Sequence, residues 1–375
     1  MWITWINEIN HAFINILKNP VIYWVIILVI LTVYKRRKIE KKQFGKHIQS
    51  FFPAWTTTLF ITILSSISVS FVAIYFGLHI TYEIILILSI VTICFSLIYQ
   101  HIFLSVSYTL GFTYFLLFLS IQNLFENSTT ILTSVVFLIG VFLIIEAVLI
   151  KTMKNDHFFP ERWKTPRGAK YGQYRLQKIT IIPCLLFVPD GILAPFYPVF
   201  TLGDSQYNIA LVPIVLGFSY LAKNNLPQVV AKTVAKRTCL LGIIVIVGSV
   251  IGLYQPIILS YVVLLAILGK IVIRILYINS EFQGSPIFFD MENKPTIFWV
   301  EKNSLAEKLG LQIGDTIIKI NEQAVETRED VDQLLLQHQN EYLTISIEDR
   351  HHQQRTINKA VFAKNKEELG VIFIC

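Results

Sequence analysis

The sequence predicts a polytopic α-helical membrane domain followed by a small α+β domain. Its 375 residues are 54% hydrophobic and only 15% charged, with a mean hydropathy of +0.58, which is too apolar for a soluble protein. The charge is divided unevenly, because residues 1–278 carry a net +13 and residues 279–375 a net −6. We therefore expect a multi-span membrane domain at 1–278, a polar linker at 279–293 and a separate folded domain at 294–375.

The first apolar run, Pro20 to Tyr34, is short for a membrane span. It has 15 residues, whereas a spanning helix needs roughly 20. Either the span begins upstream near Ala12 and includes Lys18, or this region lies in the membrane interface. Directly after it, the run KRRKIEKKQFGKH from Lys35 to His47 places six net positive charges at the end of the segment. Such a cluster is typical of the cytoplasmic side of a membrane.

Eight further apolar stretches complete the predicted membrane domain. If the first segment lies in the interface, the chain has about eight spans; if it crosses, there are about nine and the N-terminus lies outside. The eight stretches are approximately Ala54–Gly77, Glu83–Tyr99, Phe103–Phe125, Ile131–Ile150, Ile179–Phe200, Tyr207–Ala222, Cys239–Tyr254 and Ile257–Ile278.

Three basic loops indicate the orientation of this domain: Lys35–His47, Lys151–Lys178 and Lys223–Arg237. Four spans and then two spans separate them, so all three fall on one side, and the last two spans return the C-terminal domain to it. The positive-inside rule places that side in the cytoplasm. The positive charge therefore indicates contact with anionic lipid and not with nucleic acid.

Acidic residues inside apolar segments are costly and are candidates for function. Glu83 and Glu146 lie near segment ends, where reaching the interface is the simpler expectation. Asp190 is different, because four prolines surround it in a segment that cannot be a straight helix. It marks a transport pathway, a partner groove or an extracytoplasmic turn between two half-spans, and the sequence leaves these alternatives open.

The sequence contains no recognisable catalytic constellation. None of the eight histidines belongs to an HExxH pair, and there is no GxxxxGK or GxGxxG loop. The four cysteines have no metal-ligand spacing. We therefore predict a protein that is not an enzyme and needs neither a metal nor a cofactor.

The C-terminal domain is organised around residues 303–325, NSLAEKLGLQIGDTIIKINEQAV. Ser304 can cap a short helix that Gly310 ends in a left-handed conformation. Gly314-Asp315 then turns the chain into a strand over Thr316 to Asn321. This order of a capped helix, a GL step, a GD turn and a strand ending in IN predicts a specific small domain.

This arrangement resembles a PDZ domain, whose familiar run is SxAxxAGLxxGDxIxxING. The residues that follow fit the same family, with a helix at Thr327–His338, a strand at Tyr342–Glu348 and a pairing strand at Thr356–Phe362. In place of the usual small residue before the helix-ending glycine the chain has Leu309, and in place of the usual glycine after the asparagine it has Glu322. Both departures fall at a helix end or a turn.

The tail resembles the circularly permuted bacterial PDZ domains, in which the loop that binds a peptide terminus comes last. The resemblance implies that backbone amides of this loop take a ligand carboxylate and that the next strand accepts an added β-strand. The alternatives are an ordinary closing strand without a ligand, and a domain that only braces a neighbour. The implied residues are Leu369, Gly370 and Val371 in the loop, Ile372 and Phe373 in the groove, and Arg328, Asp332 and Leu335 on the facing helix.

The opening of the chain resembles the MinJ-type topological determinants of cell division. The resemblance rests on the residues NPVIYW at 19–24 and YKRRKIEKKQF at 34–44, and on the layout of many spans and one C-terminal PDZ domain. The resemblance implies a non-enzymatic adaptor at septa and poles that links a DivIVA-type coiled-coil scaffold to the Min-type ATPase and inhibitor. Alternatives are a transporter or channel with a regulatory PDZ domain, and an inactive relative of intramembrane proteases. Self-association is left open.

Overall fold

A computed structural model describes most of the chain. The described residues are 16–17, 19–48, 55–98, 101–120, 129–153, 157–164, 170–189, 200–202, 205–284, 286–289, 295–337, 342–349, 353–360 and 369–373.

The first helix, α1, runs from Pro20 to Phe44, because Asn19 accepts a hydrogen bond from the amide of Val21 at 3.0 Å and Gly45 ends it at a φ of 72°. The predicted span start near Ala12, and Lys18, lie outside the described residues. The prediction of a loop at Lys35–His47 is wrong for most of its length, because residues up to Phe44 form the last turns of α1. Lys and Arg have high helix propensity, so the positive cluster extends the helix beyond its apolar part.

Six more helices belong to the membrane domain, besides a short 3-10 turn at His101–Leu104. In the part of the chain that the structure describes, four helices are long and apolar enough to cross a membrane, within α2, α5, α6 and α7. Because α3 and α4 are shorter, the predicted eight or nine spans are not confirmed. The helices are α2 Trp55–Phe76, α3 Tyr82–Leu97, α4 Val106–Ser120, α5 Thr129–Lys151, α6 Pro227–Gly252 and α7 Ile257–Phe282.

Two of the predicted spans, Ile179–Phe200 and Tyr207–Ala222, are wrong. Here the chain forms long antiparallel strands, β2 at Lys170–Pro189 and β4 at Ser205–Ala222, paired from Tyr174 opposite Ala222 to Pro189 opposite Tyr207. Runs rich in β-branched residues and interrupted by prolines cannot be assigned by hydrophobicity alone. Since a hairpin leaves and returns at one end, it replaces two spans without changing the side on which the chain continues.

The outer edge of β2 is covered by hydroxyl groups of α2. Pro183 lies opposite Pro213, and the Pro183 carbonyl points away from β4 to α2. The N–H groups that these prolines lack would therefore not belong to the ladder between the strands. Ser66 donates a hydrogen bond to the carbonyl oxygen of Pro183, and Ser70 accepts one from the amide of Leu185 at 2.9 Å. The two serines are one helical turn apart, so a single face of α2 satisfies backbone groups at the edge of β2.

Short strands widen the sheet at both of its ends, beside β2 at the end where the basic residues lie and beside β4 at the opposite end. β1, Phe158–Lys164, pairs with β2, and β3, Phe200–Leu202, pairs with β4. Part of the predicted linker at 279–293 forms regular structure instead. Helix α7 continues to Phe282, and β5, Phe288–Phe289, also pairs with β2. The side chain of Glu281 stabilises the end of α7 in this position, because it accepts hydrogen bonds from the backbone amides at positions 223, 224 and 225.

Helices α5 and α6 meet through Gly140 and Gly242. A Cβ at position 140 would lie 2.6 Å from Cγ1 of Ile246 and 3.0 Å from the carbonyl oxygen of Gly242. We expect Gly140→Ala to lower the free energy of unfolding by about 1–3 kcal/mol, because backbone atoms cannot move aside. The control is Gly111→Ala, whose new methyl group meets only side chains of Ile267 and Val263. Thermal unfolding of the detergent-solubilised variants measures both, and equal midpoints would contradict the assigned contact.

The C-terminal domain follows the predicted order. The structure confirms that Ser304 caps a short helix, by accepting from the amide of Glu307 at 3.3 Å, and that Gly310 ends it at a φ of 77°. One sheet has the order β10-β9-β7-β8, and a second pairs β11 with β6. The elements are β6 Ile297–Val300, α8 Leu305–Leu309, β7 Thr316–Ile320, β8 Gln323–Ala324, α9 Arg328–Gln337, β9 Tyr342–Glu348, β10 Gln354–Ala360 and β11 Val371–Phe373.

A reciprocal cap holds the start of α9. Asp330 accepts hydrogen bonds from the amides of Thr327 at 2.8 Å and Glu326 at 3.1 Å, while the Thr327 hydroxyl accepts from the amide of Asp330. These bonds lower the pKa of the Asp330 carboxyl. The stabilisation is therefore present at neutral pH and is lost as the pH falls through the lowered pKa.

We expect Asp330→Ala to speed amide exchange of residues 328–337 at pH 7. Towards pH 3 the wild-type chain should approach the variant, after correction for the intrinsic pH dependence of exchange, because the carboxyl becomes protonated. Hydrogen exchange followed by mass spectrometry measures the difference, and a pH-independent gap between the two chains would contradict the role of the carboxylate.

Candidate functional site

The predicted loop at Leu369–Val371 is held against the N-terminal end of α8. Gly370 has a φ of 73°, a conformation that favours glycine. The carbonyl oxygen of Leu369 accepts from the amide of Ala306 at 3.0 Å, and that of Gly370 accepts from the amide of Glu301 at 2.8 Å. A Cβ on Gly370 would collide with the Cβ of Ser304. Glycine is thus required here both for backbone conformation and for space.

The strand that follows the loop buries both of its predicted groove residues. Phe373 packs into the core of the C-terminal domain with Ile297. Ile372 lies opposite Trp299 and packs with it in the core of the membrane domain. Successive side chains of a strand point to opposite faces, so β11 joins the two cores.

The facing helix is present where the sequence predicts it. Arg328, Asp332 and Leu335 lie in α9, but their side chains are outside the described part of the structure. Asp190, the candidate of the membrane domain, is likewise outside the described residues. The roles of these residues and of the loop stay predictions.

The membrane domain contacts the two-stranded sheet of β6 and β11 through backbone acceptors. Pairing shifts by one residue where Phe298 is passed over between Trp299 and Ile297. The carbonyl oxygen of Phe298 accepts a hydrogen bond from the hydroxyl of Tyr174 on β2. Arg162 of β1 donates from Nη2 to the carbonyl oxygen of Phe373.

An aromatic cluster surrounds these polar contacts. The ring of Phe298 lies 4.9 Å from that of Tyr174, 5.4 Å from that of Phe288 and 6.5 Å from that of Phe44, measured between centroids. Phe298 is fully buried, so the cluster excludes water from the contact. The rings come from α1, β2, β5 and β6, which ties the C-terminal domain to the end of the membrane domain that bears the basic residues.

A buried ion pair crosses the helical bundle. Lys270 of α7 lies 2.6 Å from Oε1 of Glu146 on α5, and the Ser105 hydroxyl donates to Oε2 of Glu146 at 2.6 Å. Lys270 also donates to the hydroxyl of Thr238 on α6 at 3.3 Å. The expectation that Glu146 reaches the interface is therefore wrong, because its carboxylate is fully buried and paired. Opposite charges in two apolar segments were the available signal, since such groups pair inside a membrane.

Sequence reasoning did not identify Arg162 or Tyr174 as functional candidates. Both lie in a segment that was predicted to be a loop, and the residues they contact are more than 120 positions further along the chain. A lone arginine between aromatics in the FFPERWK run is the only sequence signal. Among the described residues, no group of three His, Cys, Asp or Glu side chains could hold a metal ion.

Comparison with known proteins bears on both domains. Residues 296–349 match the model of the PDZ domain. The chain is 23% identical over 369 residues to the cell division topological determinant MinJ of Bacillus subtilis strain 168, covering 95% of this chain and 92% of the relative. The chain is similar to MinJ over nearly its whole length. This confirms the predicted resemblance, and the C-terminal domain is a PDZ domain.

The similarity to MinJ covers both the membrane domain and the PDZ domain, so it does not rest on the widespread C-terminal module alone. A match of this extent explains why the opening residues and the general layout carry the same resemblance. MinJ is named as a topological determinant of cell division, and that name describes the relative.

Proposed function

We propose that this protein is a membrane adaptor in division-site selection. The observation that supports this most is the similarity to MinJ along 95% of the chain. A protein that positions others needs anchoring and docking surfaces, and the apolar helices and the PDZ domain supply them. Tethering to a membrane also raises the effective concentration of the PDZ domain near its targets, so weak peptide contacts suffice.

In this proposal the protein is multi-pass and its PDZ domain faces the cytoplasm. The basic residues support this side, because Lys38, Lys41 and Lys42 are exposed on the last turns of α1, and Lys232 and Lys236 on the first turns of α6. Lysines at the ends of membrane helices favour the cytoplasm and attract anionic lipid. The acidic PDZ domain lies beside them, as the 3.3 Å contact between Lys46 and Glu301 illustrates.

The partners in this proposal are a DivIVA-type scaffold and the Min-type ATPase and inhibitor. A cytoplasmic partner segment binds in extended form to β11, with its terminus at the loop of Leu369, Gly370 and Val371. The helix α9 supplies the opposite wall through Arg328, Asp332 and Leu335. Enrichment of the protein at septa and young poles follows from binding the scaffold.

Removal of the gene from its native host tests the proposal. We expect minicells or filaments and a redistribution of the division proteins, both reversed by the wild-type chain. The chain with Gly370→Val should reach the membrane but restore division poorly, because the docking loop is distorted. Normal division with an unchanged distribution of division proteins after gene removal would contradict the adaptor role.

A further inference from the structure

One backbone group at the outer edge of β11 is bonded to the membrane domain. In an antiparallel strand, the N–H and C=O of one residue point to the same side, and the side alternates along the strand. The carbonyl of Gly370 is bonded to Glu301 at the end of β6, so Gly370 faces β6. The backbone N–H and C=O groups of Val371 and Phe373 therefore point away from β6. This outer edge is the one at which an added ligand strand would pair.

Arg162 is bonded at that edge, where Nη2 donates to the carbonyl oxygen of Phe373. We call this hydrogen bond the latch. A ligand strand that pairs with Phe373 needs the same carbonyl oxygen as the acceptor for its own amide. Ligand and Arg162 therefore compete for one backbone group.

Two neighbouring residues at the end of α1 fix the position of Arg162. The side-chain amide of Gln43 on α1 accepts a hydrogen bond from the backbone N–H of Arg162 at 2.9 Å and donates one to the backbone carbonyl of Arg162 at 3.0 Å. Its guanidinium lies over the ring of Phe44, 4.8 Å from the centroid. A side chain held in this way loses little conformational freedom when it forms the latch, so the bond is favourable to keep closed.

The neighbouring contacts do not block the edge. Tyr174 bonds to Phe298 of β6, which lies on the other strand of the pair. Lys46 and Glu301 are each more than 40% exposed in their side chains, and exposed ion pairs contribute little. Of the contacts described between the two domains, the latch is the one made to the edge itself.

We propose that Arg162 is a built-in competitor that closes the peptide-accepting edge of the PDZ domain until a ligand strand displaces it. This inference rests on the proposed function of β11 as the ligand strand. Its consequence is coupling, because Arg162 belongs to the sheet that continues into the hairpin of β2 and β4. An event in the membrane domain that opens the latch therefore raises peptide affinity, and peptide binding favours that event by the same factor.

The first test measures the latch without any ligand. The full-length protein in nanodiscs is compared with Arg162→Met, which keeps an unbranched apolar stem on Phe44 and removes the donors. Lys164→Met is the matched control, since Lys164 is an exposed cation two residues further along β1. A hydrogen bond to a charged donor predicts about tenfold faster exchange of amides 369–373 in Arg162→Met. Unchanged exchange in a folded Arg162→Met chain would overturn the proposal.

The second test uses a displayed library of random seven-residue C-termini as the probe. We expect Arg162→Met to retain the same sequences as the wild type with about tenfold higher affinity, and Lys164→Met to match the wild type. Equal affinities of wild type and Arg162→Met would refute the competition. If no chain retains any peptide while exchange at β11 does increase, the latch stands as a contact, but its competitor role and the proposed peptide docking both fail.

Discussion

Lys270→Met should lower the free energy of unfolding by about 3–5 kcal/mol, because it leaves the carboxylate of Glu146 buried without its cation. The Ser105 hydroxyl alone cannot compensate for a charge in an apolar bundle. Thermal or denaturant unfolding of the purified full-length protein in one detergent measures the loss. We expect this to be among the two largest single-residue effects in the molecule.

The double variant Glu146→Leu with Lys270→Met distinguishes pairing from packing. Replacing both partners by apolar residues removes the buried charges together, so most of the stability should return. Lys232→Met on the exposed face of α6 is the control and should be close to neutral. A single variant as stable as the wild type, or a double variant no better than Lys270→Met, would contradict a structural ion pair.

Gly370→Ala should be the second large effect, and it acts on the candidate site. A side chain at a φ of 73° is strained, and the added methyl group also collides with Ser304. Strain and overpacking together are expected to destabilise the loop by roughly 2–5 kcal/mol. Amide exchange of residues 369–373 in the full-length protein reports this loss directly.

Gly310→Ala is the matched control for that experiment. Its φ is 77°, nearly that of Gly370, but no atom lies within 4 Å of its new Cβ. It therefore introduces strain without a collision and should cost only about 1–2 kcal/mol. If the two alanine variants were equally stable, the close contact between Gly370 and Ser304 would not be a determinant of the loop.

The short capped helix, the turn at Gly314 and the strand at Tyr342–Glu348 could be predicted from sequence, because their determinants are local. A serine followed three residues later by a glutamate, and a glycine at a helix end, specify backbone conformation within one or two turns. The structure has these elements where the local chemistry places them.

The hairpin of β2 and β4 could not be predicted from the sequence in the same way. A continuous apolar run has no period, so it fits a buried strand as well as a helix, and a length near 20 residues favoured the helix. Proline is unfavourable in a straight helix, but only the pairing register shows that Pro183 and Pro213 lie opposite each other. That register depends on contacts between distant parts of the chain.

The contacts between the domains could not be predicted from the sequence either. Arg162 and Phe373 are 211 residues apart, and Tyr174 and Phe298 are 124 apart. Nothing local to either residue specifies the other. The candidate loop was identifiable because glycine chemistry and a family resemblance mark it, whereas the residue bonded to its strand became visible only in the fold.

Imaging of the full-length protein beside the division ring in dividing cells tests whether it is a division-site adaptor. The tag should be one that fluoresces on either side of the membrane, expressed at the native level. We expect enrichment at septa and young poles from the onset of constriction. Uniform fluorescence around the membrane throughout division would contradict it.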